Sequence, residues 1–256
     1  MNPRLAGRPK PASVAKTKEL TMQDYDLDHS MPIAAEAQPD DRARFISRTY
    51  GHLAGAVLAF MLLEMVLLNS PVAGAMMNLL GMGKFSWLIV LGTFMGVSWL
   101  AQTMANRSAS QGLQYAGLAL YVVAQAFIFV PILYFATRRG GADTVAIAAG
   151  ITGALFLGLT AVAFTTRKDF NFLGAMLKIG GFVAMGVIGA SILFGFNLGV
   201  LFAGIMVVFA AGSILYDTSN VMYRYGLRQH VAASLSLFAS VMLLFWYVLR
   251  IVMSRR

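Results

Sequence analysis

The chain has 256 residues, 58% of them hydrophobic and 12% charged. That balance excludes a soluble domain, whose surface must be largely polar, and several apolar stretches of roughly 20 residues are long enough to cross a bilayer as helices. The formal charge of +9 is assigned to cytosolic loops and lipid headgroups rather than to nucleic acid, and the lack of cysteine removes disulfides and thiolate metal sites.

Residues 1–42 mix both charges with Pro and Ser and have no apolar period, so they read as a disordered cytosolic tail ahead of a transmembrane domain at 43–256. The tail has no apolar signal-peptide core, so the first span is expected to direct insertion. Seven spans follow, at 46–68, 85–105, 112–136, 143–164, 173–195, 198–218 and 231–253. They are punctuated by "NSPVAG", "ANRSASQG", "TRRGGAD", "TRKDFN" and "YRYGLRQH". The "GFN" between spans five and six is short enough to force an antiparallel hairpin, and Pro131 is expected to kink span three. Most Lys and Arg fall on the tail and on the loops after spans two, four and six. That pattern predicts a cytosolic N-terminus and an external C-terminus. The fold class is therefore an all-α, polytopic, multi-pass membrane protein. Arg48 and Lys178 read as interfacial anchors, and Glu64 as a glutamate snorkelling to the outer side. Gly51–Gly55 and Gly92–Gly96 are spaced to let helices approach closely. His29, His52 and His230 lie in three different regions and form no ligand-spaced cluster.

Asp217, near the end of span six, is the exception in an apolar run. Burial and the negative end of the helix dipole both make an ionised carboxylate costly there. Ser213, Asp217, Asn220 and Arg224 recur at intervals of four, three and four, so they share one helical face. Its continuation through Ala210, Met206, Ala203 and Gly199 is mostly small, as suits a face turned into the bundle. The competing account has Asp217 and Asn220 capping a frayed helix end, with Arg224 as a surface partner. Span seven carries a matching line of Ser236, Ser240, Tyr247 and Arg250, interrupted by Leu243. Span three offers Gln114, Tyr121 and Gln125, and span two offers Ser98 and Gln102, as sites for interhelical hydrogen bonds. No phosphate loop, zincin helix or nucleophile–base pair is present, and Asp217 has no second acid beside it for catalysis in the bilayer. The chain is not expected to be an enzyme or to need a cofactor.

"ILYDTSNVM" at the end of span six resembles the signature of the Bax inhibitor-1 family, also called the transmembrane Bax inhibitor motif family. "RFISRTYGHLAGAVL", "FSWLIVLGTFMGVSWLAQTMA" and "GLALYVVAQAFIFVPILYFA" are similar to further family segments, the last to bacterial members, so the resemblance covers about residues 44–252. It implies a seven-helix fold with six helices around a central span seven, in a bacterial inner membrane. It also implies a pH-sensitive calcium leak, in which one carboxylate in span six and one in span seven share a proton and latch the cytosolic side. Asp217 matches the first acid, and Leu243 stands where the resemblance puts the second; no Asp or Glu occurs in 218–256. A lone carboxylate can titrate and can pair with Arg48 or Arg224, but it cannot share a proton with a partner acid. The resemblance thus implies a weakened calcium or cation leak with Asp217 as titrating gate. The alternative is a non-conducting regulator that binds membrane proteins such as a membrane-anchored protease.

Overall fold

The computed structural model describes residues 33–107 and 110–255, and among these it is all helix apart from one isolated antiparallel bridge between Ile33 and Gly226. Seven helices follow in order: α1 (Pro39–Leu68), α2 (Pro71–Gly81), α3 (Lys84–Arg107), α4 (Gln111–Thr166), α5 (Phe172–Phe194), α6 (Gly199–Tyr223) and α7 (His230–Ser254). The first 32 residues of the predicted tail lie outside the described residues. Residues 33–42, grouped with that tail by composition, belong to the folded body. The Ala34 N–H donates to the Tyr225 carbonyl at 2.9 Å, and α1 starts at Pro39. Its first turn suits a helix start, with proline where no N–H is needed and Asp40 and Asp41 facing the positive dipole end.

Six of the helices are long and apolar enough to cross a membrane; α2, with 11 residues, is not. The helix α2 falls between the first two expected spans, where none was predicted. Ser70 caps it by accepting the Val72 N–H, and Pro71 opens its first turn. At 1.5 Å per residue the 56-residue α4 would run about 84 Å, far beyond a hydrocarbon core of about 30 Å. It is broken at Gly141 (φ 72°, ψ 174°), a backbone conformation that glycine adopts without strain. The interruption falls there and not at Pro131, which stays buried inside the helical N-terminal arm.

The axis of the bundle is α7, buried on all sides and packed against α1, α3, α4 and α6. An aromatic column lines it. Phe129 of α4 stacks on Phe245 with ring centroids 5.6 Å apart and meets Trp246 edge-on at 5.0 Å, while Phe60 of α1 meets Phe129 edge-on at 5.2 Å. Outer faces are apolar as well: Leu58, Met61 and Met65 of α1 and Phe182 and Phe194 of α5 are exposed. Water would not tolerate such a surface but hydrocarbon does, and the protein is a multi-pass integral membrane protein.

Close helix approach occurs at other glycines than the spacing suggested. A Cβ on Gly51, Gly55, Gly92 or Gly96 would have nothing within 4 Å. At Gly117 of α4 it would lie 2.6 Å from the Ala101 carbonyl oxygen of α3, and at Gly174 of α5 it would lie 2.8 Å from the Tyr216 ring of α6.

Candidate functional site

Asp217 lies inside α6, which continues to Tyr223, so it does not cap a frayed end. Its half-buried carboxylate faces α7, where the Ser240 hydroxyl donates to Oδ2 at 2.5 Å. Ala203, Met206, Ala210 and Asn220 on the same stripe are buried, while Ser213 is half-buried and returns its hydroxyl to the Phe209 carbonyl at 3.1 Å. The polar line of α7 faces this stripe: the Ser236 hydroxyl lies 3.0 Å from the Tyr225 hydroxyl, and Tyr247 packs on Phe202. Tyr121 of α4 and Tyr225 lie within the electrostatic reach of Asp217. Burial pushes the Tyr225 phenol up to about 12 against the lowering effect of the Ser236 hydrogen bond, so it remains a neutral hydrogen-bonding group.

The two arginines assigned to Asp217 are elsewhere. Arg224 pairs with Asp169 in the α4–α5 loop, with Nη2 3.0 Å from Oδ2. Asp169 also accepts the Asn171 N–H at 2.9 Å and the Ser219 hydroxyl at 3.4 Å, and Ser219 in turn accepts the Phe170 N–H at 3.0 Å. Slight burial acts upward on the Asp169 carboxyl, but these hydrogen bonds and the Arg224 charge outweigh it and hold the group below the usual aspartate range. This latch on the end of α6 was missed, and no feature of "TRKDFN" announces it. Arg48 is exposed and faces His52, Tyr115 and His230. There the His52 Nε2 lies 2.9 Å from the Tyr115 hydroxyl, which lies 3.4 Å from the His230 Nε2. His52 and His230, far apart in sequence, meet here because α1 and α7 bring them together, with ring centroids 5.0 Å apart. Among the described residues no group of three or more His, Asp or Glu could hold a metal ion.

Leu243 does not occupy the position opposite Asp217. That place belongs to Ser240, nearly one turn earlier; Leu243 packs among apolar side chains that include those around Met206 and Tyr247. Glu64 does not snorkel. It sits on the buried stripe Phe45, Thr49, Leu53, Ala56, Phe60, Glu64, Leu67 of α1, is 4% exposed, and among the described residues neither carboxylate oxygen has a hydrogen-bond partner.

The sequence that builds this bundle has counterparts among known proteins. The family profile described as "Inhibitor of apoptosis-promoting Bax1" matches residues 42–256. The chain belongs to the Bax inhibitor-1 family. Among its relatives in that family is the modulator of FtsH protease YccA of Escherichia coli, 27% identical over 195 residues, which are 75% of this chain and 86% of YccA. An uncharacterized protein of Pseudomonas aeruginosa is 35% identical over 124 residues, 47% of this chain and 55% of that protein. The mouse protein lifeguard 4 is 31% identical over 102 residues, covering 39% of this chain and 42% of its own length. The Bax inhibitor-1 profile thus spans all but the first residues of α1 and includes both partners of the Asp217–Ser240 contact.

Proposed function

We propose that this protein is a proton-sensitive cation leak of a bacterial inner membrane, with calcium as the ion to test first. In this reading α1, α3, the two arms of α4, α5, α6 and α7 make seven crossings, with the N-terminus cytosolic and the C-terminus external. The observation that carries the reading is the Asp217 carboxylate turned onto α7 and held by the neutral Ser240 hydroxyl. A single proton on or off that carboxylate changes the charge at the α6–α7 contact, where low dielectric magnifies the effect. Ser240 and the tyrosines Tyr121 and Tyr225 surround it, and no described arginine or lysine neutralises it. Glu64, buried near the opposite end of α1, supplies a second carboxylate along the bundle. The test is calcium and monovalent cation flux into proteoliposomes across pH 5–8. Wild-type flux should change with pH, and Asp217→Asn should give a flat profile. Identical profiles for the two proteins would refute Asp217 as the gate.

A second reading, of a non-conducting regulator of a membrane-anchored protease, is favoured by the relation to YccA, named as a modulator of FtsH protease. It predicts co-purification with such a protease and altered protease turnover in the absence of any flux.

A further inference from the structure

Outside the Asp217 contact, a groove of about 1010 Å³ runs between α1 and the N-terminal arm of α4. Along α1 it runs from Ser47 to Val66, about 28 Å at the helical rise, close to the depth of the hydrocarbon core. It exists because Gly51 and Gly55 present no side chain and no other helix fills the space beside them. Most of its wall is apolar. Only one end is polar, and there Arg48, His52 and Tyr115 converge at the end of the bundle that carries the α1 N-terminus.

That end is built. The His52 Nδ1 lies 2.7 Å from the Arg48 carbonyl oxygen, an acceptor, so Nδ1 carries the proton in the neutral ring. Nε2 then accepts from the Tyr115 hydroxyl, and that hydroxyl in turn accepts the Nε2–H of His230, which is 4% exposed. This hydrogen-bonded chain fixes the two rings beside the Arg48 guanidinium. Among the described residues the ion pairs are Arg44 with Asp41 and Arg224 with Asp169, and no carboxylate pairs with Arg48.

We propose that this groove holds one anionic phospholipid, its phosphate on the Arg48 guanidinium and one acyl chain along the glycine-lined wall. The choice of occupant rests on charge and shape: the apolar length matches an acyl chain, and the unpaired cation at the interface matches a phosphate. The site is independent of the leak reading.

The test is native mass spectrometry of the full chain after delipidation and titration with phosphatidylglycerol or phosphatidylcholine. Wild type should retain one phosphatidylglycerol with about fivefold preference, the factor one basic residue contributes at an anionic surface. Arg48→Gln should abolish the preference, and Gly55→Leu should weaken retention of both lipids, since Gly55 lines the groove and a Cβ there meets no protein atom within 4 Å. Melting temperatures close to wild type confirm that both variants fold. The proposal is overturned if the preference survives Arg48→Gln, or if Gly55→Leu retains lipid as wild type does. A graded, non-stoichiometric lipid shell common to all three proteins overturns it as well. So does inorganic phosphate that displaces no lipid yet saturates the Arg48 site, or a second protein chain found in place of the lipid.

Discussion

Asp217 and Glu64 are both acids in an apolar bundle, but their surroundings differ and so do the expected consequences of losing them. Asp217 has a hydroxyl partner, whereas Glu64 has no hydrogen-bond partner among the described residues. A buried polar group without a partner costs about 1–3 kcal/mol. Glu64→Leu, which removes that cost and keeps most of the volume, is therefore predicted to stabilise the protein by about 1–3 kcal/mol, read as a higher melting temperature in detergent. If Glu64 serves the cation path, the same variant lowers flux. A stability loss instead would mean that the carboxylate is satisfied in the membrane. At this scale the period of 3.6 residues was enough to set Asp217 on one stripe with the buried Ala210 and Asn220, but not to place Arg224, which leaves that stripe for Asp169. The sequence was not legible for Glu64, because an acid one turn from a helix end fits either a snorkelling or a buried rotamer.

Between elements, the contacts that matter are made by glycines whose role depends on the neighbouring helix. Gly117→Ala places a methyl 2.6 Å from the Ala101 carbonyl oxygen and is predicted to cost about 1–3 kcal/mol by forcing α3 and α4 apart. Gly96→Ala meets nothing and should be neutral or stabilising by up to about 1 kcal/mol through helix propensity. Thermal unfolding of the two variants distinguishes these outcomes. The GxxxG spacing reveals that a helix face is small but not whether a partner lies on it. The same lack of partner information hid α2, too short for a span, and the His52–Tyr115–His230 cluster, whose members are 63 and 115 residues apart in sequence.

The α4–α5 loop latch adds a pH prediction at the same scale. The Asp169 carboxyl is held below its ordinary value of about 3.9, so it contributes stability above that pH and loses it as pH falls through the lower folded value. The pair is half exposed, which limits its worth to about 0–1 kcal/mol. Asp169→Asn should therefore leave any pH dependence of flux between 5 and 8 unchanged. A threshold in that range that disappears with Asp169→Asn would move the gate from the α6–α7 contact to this loop.

At the scale of the whole molecule, composition and hydropathy sufficed for the polytopic helical fold, because every span must satisfy its backbone internally and show an apolar length. The central burial of α7 was foreseen from the family resemblance, and its aromatic column supplies the physical reason. The register of α7 against α6 was not foreseen. With no acid in α7 to mark the position, Leu243 was placed opposite Asp217, and the structure puts Ser240 there instead. The account therefore stands most directly on cation flux against pH for Ser240→Asp and Leu243→Asp beside wild type. Two carboxylates in hydrogen-bonding reach cannot both ionise cheaply, so Ser240→Asp is predicted to create a sharp pH threshold that Leu243→Asp does not. A threshold with Leu243→Asp, and none with Ser240→Asp, would contradict the proposed gate.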